Sequence, residues 1–185
     1  MTPAAEPSDE ETMLALQRGE QLALNRLMAR WERPLRSFLY RSTRNEHDAL
    51  DLAQETFVRV YQHRARYRAG ARFSTWMFQI ALNLARDHAR RAHRRPTDAL
   101  ETAPEQFTAQ TPRRAVADAE AAAAVRAAVV ELPDDLREAV LLSEFQDLSH
   151  AEIAEIVGAT PKAIETRLYR AREKLRTLLA RYLND

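Results

Sequence analysis

Residues 148–175 read LSHAEIAEIVGATPKAIETRLYRAREKL, and this stretch decides the fold. Ser149 followed three residues later by Glu152 is a capping box, in which each side chain satisfies a free backbone N–H of the other. Leu148 and Ile153 flank it at the positions of a hydrophobic staple. The helix that starts there stops at Gly158, the residue type that takes a left-handed turn at least cost. Thr160 caps the next helix and Pro161 sits in its first turn, where no N–H is needed. Two helices joined by a three-residue turn make a helix-turn-helix. Ile153, Val157, Ile164 and Leu168 are its predicted core, and Ala154 is small where the helices cross. The second helix is predicted to run to about Tyr182, with Ile164, Leu168, Ala171, Leu175 and Leu178 inward. Lys162, Thr166, Arg167, Arg170 and Lys174 are left for the outside. Such a basic helix suits a DNA major groove, its first turns on base edges and its later cations on phosphate. Glu165 interrupts this face: it repels phosphate, yet it can accept from the cytosine amino group.

Upstream of this motif the same helical character continues. A long helix is predicted near 117–131, and another begins at Pro133. Before them, Pro96, Pro104 and Pro112 interrupt a run of Ala, Thr, Asp, Glu and Gln with few large apolar residues. That composition is a linker. The expected organisation is all-α, with two helical domains at 8–95 and 121–183 joined by a flexible linker at 96–120.

The N-terminal domain reads as four helices. Residues 9–18 are amphipathic and stop at Gly19. In 20–42, Leu24, Leu27, Met28, Trp31, Leu35, Phe38 and Leu39 recur at three- and four-residue steps. Pro34 is expected to kink or restart that helix. In 46–63 the core face is Ala49, Leu52, Ala53, Thr56, Phe57 and Val60. A helix over 74–94 is predicted to start at a Ser74 cap, with Met77, Ile80, Ala81, Leu84 and Ala85 inward.

Composition narrows the chemistry. The 185 residues include no Cys and only three Gly. Thiol catalysis, disulfides, Cys-ligated zinc and a Gly-rich phosphate cradle are thereby excluded. The five histidines have no metal-ligand spacing, Asp87 and His88 lack a second acidic partner, and neither an enzyme nor a cofactor is expected. No stretch approaches the ~18 apolar residues of a membrane span, and Thr2–Glu11 is acidic, unlike a secretory or mitochondrial leader. The expectation is a soluble, cytoplasmic protein with no membrane insertion.

A net charge of +1 conceals strong segregation. Residues 1–63 carry net −2, residues 64–95 net +8, residues 96–159 net −9 and residues 160–183 net +5. Two basic segments around an acidic one point to two polyanion contacts. In the first, Tyr67, Arg68, Gly70, Arg72, Phe73 and Trp76 lie in a short loop entering a helix. Arg86, Arg90 and Arg94 then form a stripe, with Asn83 one turn earlier and Arg91 beside it. Aromatics among arginines suit single-stranded nucleic acid, where rings stack bases and guanidiniums follow phosphates. Trp76 and Phe73 also fit a simple core role. The preceding helix is opposite in charge: Asp48, Asp51 and Glu55 form one acidic stripe with Gln54 beside it. Three carboxylates on one helix are a poor metal cage; a protein-docking face is the better functional reading, and a plain solvated face fits the stripe taken alone.

The combination resembles an extracytoplasmic-function sigma factor, a bacterial transcription initiation factor of the two-domain type. Residues 48–61 (DALDLAQETFVRVY) are similar to that family's polymerase-binding helix, and residues 67–87 (YRAGARFSTWMFQIALNLARD) to its −10 recognition loop and helix. Residues 132–175, with LPDDLREAV, LSHAEIAEIVG and RLYRAREKL, are similar to its −35-binding domain. The resemblance implies that Asp48, Asp51, Gln54 and Glu55 dock on core RNA polymerase. It implies that Tyr67 and Asn83 meet flipped or unpaired bases, that Arg68, Arg72 and Phe73 shape the loop, and that Arg86, Arg90 and Arg91 contact the adjoining backbone. Lys162, Thr166, Arg167, Arg170 and Lys174 would bind the −35 duplex, and an anti-sigma factor would hold the protein inactive. A conventional helix-turn-helix regulator, binding a palindromic duplex without polymerase, is the alternative. The charge pattern leaves two arrangements of the free protein open: the acidic segment 96–159 folded back on the basic DNA faces, or two domains on a loose tether.

Overall fold

The computed structural model describes residues 6–94, 114–144 and 148–180, without the side chains of residues 93 and 114–119. Most of the predicted linker, and Tyr182 at the expected end of the last helix, lie outside the described residues. Within them the chain is helical with no strand. The elements are α1 (Asp9–Gln17), α2 (Gln21–Thr43), α3 (Glu46–Gln62), a 3-10 turn (Arg64–Arg66), α4 (Phe73–Arg94), α5 (Arg114–Val130), α6 (Asp134–Glu144), α7 (His150–Val157) and α8 (Pro161–Leu178).

Helices α1–α4 pack as a bundle around the predicted stripes. Leu27, Trp31, Leu35, Phe38 and Leu39 of α2 are buried against Ala49, Ala53, Phe57 and Val60 of α3 and Phe73, Met77, Phe78 and Ala81 of α4. Phe38 and Trp31 both meet Phe78 edge-on, at centroid separations of 5.2 and 5.9 Å, a geometry worth about 0.5–1.5 kcal/mol per pair beyond area burial. One local expectation fails and another is met only in part. Pro34 lies inside α2 and does not restart it. The buried stripe continues through Trp31, Leu35 and Phe38, so tertiary packing outweighs the missing hydrogen bond. Ser74 does not cap α4, which begins one residue earlier at Phe73, and its hydroxyl is buried without a partner among the described residues.

The first helix gains an N-cap that the periodicity did not show: Ser8 and Glu11 form a reciprocal capping box. Arg30 and Trp31 of α2 then hold α1 through Asp9, at 2.9 and 2.8 Å.

The C-terminal helices follow their punctuation closely. Ser149 and Glu152 form the capping box, Leu148 and Ile153 are buried, Gly158 takes φ +72°, and Thr160 accepts from Ala163 N–H. Ile164, Leu168 and Ala171 are buried beneath α6 and α7. Leu178, expected inward, is 37% exposed and lies beside Ala124, Ala127 and Ala128 of α5. Residues 114–120, placed in the linker by composition, are the first turns of α5. No Pro or Gly follows Pro112 there, and the Ala-rich run favours helix.

The two modules pack on each other. Helix α7 lies against α4, α6 approaches α2, and the buried apolar residues of both modules join in one contiguous cluster. No helix among the described residues is long and apolar enough to cross a membrane.

Candidate nucleic-acid interface

The basic-aromatic loop is built from its own backbone. The chain leaves α3 through the 3-10 turn, and Arg66 and Tyr67 N–H donate back to His63 and Arg64 carbonyls. Gly70 takes φ +89°, letting the chain reverse before α4. The Tyr67 hydroxyl donates to the Ala71 carbonyl and closes the loop on itself. The Tyr67 ring is folded inward at 4% exposure, 5.3 Å from Trp76 and 6.5 Å from Phe73. Burial pushes its phenol up to about 12, and the negative charges of Glu10 and Asp9 add to this. Neither Tyr67 nor Phe73 therefore offers a free ring face in this arrangement. Trp76 is partly buried against the core, the role weighed beside base stacking.

Around this loop lies a cavity of about 430 Å³, lined by Arg66, Tyr67, Arg68, Gly70, Ala71, Arg72, Thr75 and Trp76. Thr75 stands in the first turn of α4, and its buried hydroxyl has no partner among the described residues. The carbonyl that a helical Thr at this position would take, that of Ala71, already accepts the Tyr67 hydroxyl. The cavity thus sets three guanidiniums and an aromatic edge beside the first turn of α4.

Helix α7 supplies the opposite wall. Glu152 and Glu155 line the same cavity, and Arg72 donates to Glu152 at 2.8 Å. Burial alone would push the Glu152 carboxyl up, but Arg72 and the Ser149 hydrogen bonds hold it below the usual carboxylate range. Further along α4, Arg86 grips Glu138 of α6 bidentately, with contacts of 2.9 and 2.6 Å. That partnership raises the guanidinium above its ordinary value. Two acids of the C-terminal module thus sit on two of the predicted DNA-binding arginines. Arg90 pairs within its own helix with Asp87, whereas Asn83 and Arg91 are exposed.

The acidic stripe on α3 is present but not bare. Asp48 meets His88 of α4 at 3.2 Å, Asp51 meets His47 at 3.2 Å, and Glu55 meets Arg59 at 2.8 Å. Gln54 is exposed between Leu50 and Val58, which are also exposed. No cluster of three or more metal-ligating side chains forms among the described residues.

On α8, Lys162, Thr166, Arg170 and Lys174 are exposed along the outer face. Arg167 departs from them: it turns toward α6 and pairs with Asp135 at 3.5 Å. Lys162 donates to Glu165 at 2.8 Å and lowers that carboxyl, so the acid that interrupted the basic face is held by its neighbour.

Sequence reasoning missed the groups that hold the loop. Gln17, the last residue of α1, donates to the carbonyls of Arg64 and Tyr67 at 2.6 and 2.8 Å. Glu10 accepts from Phe73 N–H at 3.1 Å, taking the capping duty expected of Ser74. The available signal was a polar pair seven residues apart, and so two turns apart on one face of α1.

Comparison with known proteins agrees with this layout. A model of Sigma-70 region 2 matches residues 27–95, and one of Sigma-70 region 4 matches residues 122–175. The RNA polymerase sigma-H factor of Pseudomonas aeruginosa is 30% identical across 96% of each chain. The ECF RNA polymerase sigma factor SigE of Mycolicibacterium smegmatis is 34% identical across 97% of this chain and 72% of its own. Among solved structures, CnrH in complex with the cytosolic domain of CnrY superposes with a TM-score of 0.72 at 28% identity, covering 93% of this chain and 97% of that one. The likeness runs through both modules in the same order, and the protein belongs to the extracytoplasmic-function sigma factors, which direct RNA polymerase to particular promoters.

Proposed function

We propose that the acidic face of α3 docks on core RNA polymerase, that the loop and cavity at the start of α4 capture the unpaired −10 strand, and that the outer face of α8 reads the −35 duplex. The cavity lined by Arg66, Arg68, Arg72, Thr75 and Trp76 carries this reading. Asp48, Asp51, Gln54 and Glu55 supply the docking face. Tyr67, Arg68, Arg72 and Phe73 shape the loop, and Asn83, Arg86, Arg90 and Arg91 continue its surface toward the DNA backbone. Lys162, Thr166, Arg170 and Lys174 meet the duplex, with Arg167 joining them once it leaves Asp135.

No bond chemistry is involved, and the protein works in the cytoplasm without a cofactor. Extracting a base from the stack costs a few kcal/mol, and one stacking contact returns about 1–3 kcal/mol. Melting is therefore favoured only when several contacts form together, and polymerase docking supplies the fixed frame that makes them simultaneous. The likeness to CnrH, solved with a second polypeptide, supports control of this chain by an anti-sigma factor that binds it away from polymerase.

A pull-down with core polymerase tests the docking face. The wild-type chain is retained, and the double variant Asp51→Arg/Glu55→Arg is not. Retention of both, or of neither, refutes it. Run-off transcription from a randomised promoter library then reads both recognition elements. A conventional regulator would give no polymerase-dependent product.

A further inference from the structure

The loop that forms the cavity is secured at both ends by one short helix. At its entrance, Gln17 Nε2 donates to Arg64 O at 2.6 Å and to Tyr67 O at 2.8 Å. At its exit, Glu10 Oε1 accepts from Phe73 N–H at 3.1 Å. Glu10 and Gln17 are seven residues apart on α1, two turns on the same face, which sets the hooks about 10 Å apart along the axis. Between them Met13 is fully buried, so α1 cannot slide without opening the core. Asp9 and Arg30 fix its other side to α2. Helix α1 is thus a rigid spacer, and the distance between the two ends of the loop is fixed by the spacing of two side chains outside it.

We propose that Glu10 and Gln17 are positioning residues for promoter melting: by holding the entrance and exit of the loop apart, they set the shape of the cavity and hence which unpaired base it accepts. Neither lines the cavity; both act through the backbone of residues 64–73. This inference rests on the −10 assignment made above.

A merely structural role for α1 would weaken polymerase binding and stability together, with base choice unchanged. A positioning role changes base choice and open-complex yield while polymerase binding holds. The experiment therefore uses full-length chain with core polymerase and three single variants, Gln17→Ala, Glu10→Ala and Glu10→Gln. Three quantities are read at a temperature where each variant is folded by circular dichroism. They are core binding, permanganate reactivity of unpaired thymines on a promoter selected by the wild-type chain, and the base preference of run-off products from a library randomised across the melted segment. Gln17→Ala and Glu10→Ala are expected to bind core polymerase like wild type. Each is expected to lower open-complex yield about threefold to tenfold per hydrogen bond lost, and to broaden the base preference. Glu10→Gln keeps an acceptor for Phe73 N–H and is expected to restore most of both.

Unaltered base preference and permanganate reactivity in the alanine variants would overturn the proposal. So would polymerase binding that falls in parallel with melting, or a Glu10→Gln variant no better than Glu10→Ala. A wild-type chain that yields no polymerase-dependent product from any library member gives a different result, and it sinks the −10 assignment as well.

Discussion

Truncating Glu138 should loosen the contact between the two modules by an amount the geometry sets. Glu138 accepts two charged hydrogen bonds from Arg86, and the side chains are 17% and 33% exposed. Charge-assisted hydrogen bonds contribute about 1.5–3 kcal/mol when well shielded, whereas exposed ion pairs contribute about 0.2–1 kcal/mol. Half-shielding places the net contribution of the pair at about 1–2 kcal/mol, which is about five- to thirtyfold in the closing equilibrium. A double-mutant cycle of Arg86→Ala and Glu138→Ala, followed by urea unfolding, should return a coupling energy of that size. The chain has no Cys, so single cysteines at the exposed sites Gln62 and Arg172 accept dyes without background. Energy transfer between them should fall in Glu138→Arg and recover in the swapped pair Arg86→Glu/Glu138→Arg. A coupling energy within the additivity error of about 0.3–0.5 kcal/mol would refute the reasoning, as would unchanged transfer in Glu138→Arg.

Three further outcomes are expected. Gly158→Ala should destabilise the chain by about 1–2 kcal/mol in urea unfolding: no atom lies within 4 Å of the added Cβ, so the cost is that of the left-handed backbone alone. Absorbance at 295 nm should show Tyr67 ionising near 12 rather than 10, and stability should decline with rising pH between those values, because the folded state retains the proton longer than the unfolded one. The depressed Glu152 carboxyl stabilises the closed arrangement above the ordinary Glu range near 4.3, and this contribution should be lost as pH falls through its lower folded value. Energy transfer between the modules should weaken over that acid interval in wild type, and by less in Glu152→Gln.

What the sequence made legible was local. Capping residues, turn glycines and the i, i+3, i+4 stripes act within one or two helical turns, and these appeared where they were read: Ser149 with Glu152, Gly158, Thr160, and the Ala49–Val60 face. The failures share a different cause. Pro34 is tolerated because α3 and α4 pack on the helix around it. Ser74 is relieved of capping because Glu10, 63 residues away, reaches Phe73 N–H. Arg167 carries an ion pair that the helix face alone does not show, because Asp135 stands opposite it on α6. Each depends on a partner brought near only by the tertiary fold, and periodicity carries no trace of such partners. Charge segregation left a folded-back and a loosely tethered arrangement equally open, and the contacts of Glu138 and Glu152 with the basic segment are legible only in the tertiary fold.

The unmatched hydroxyl of Thr75 has a consequence for evolution as well as for binding. A buried donor without an acceptor costs about 1–3 kcal/mol, and selection for stability alone would replace it with valine. In the free protein this donor costs stability, and an incoming polar group that reached it would recover that cost. Thr75→Val should therefore raise the melting temperature while lowering discrimination among bases, and a variant selected only for thermal robustness would drift toward a sigma factor that folds better and chooses less well.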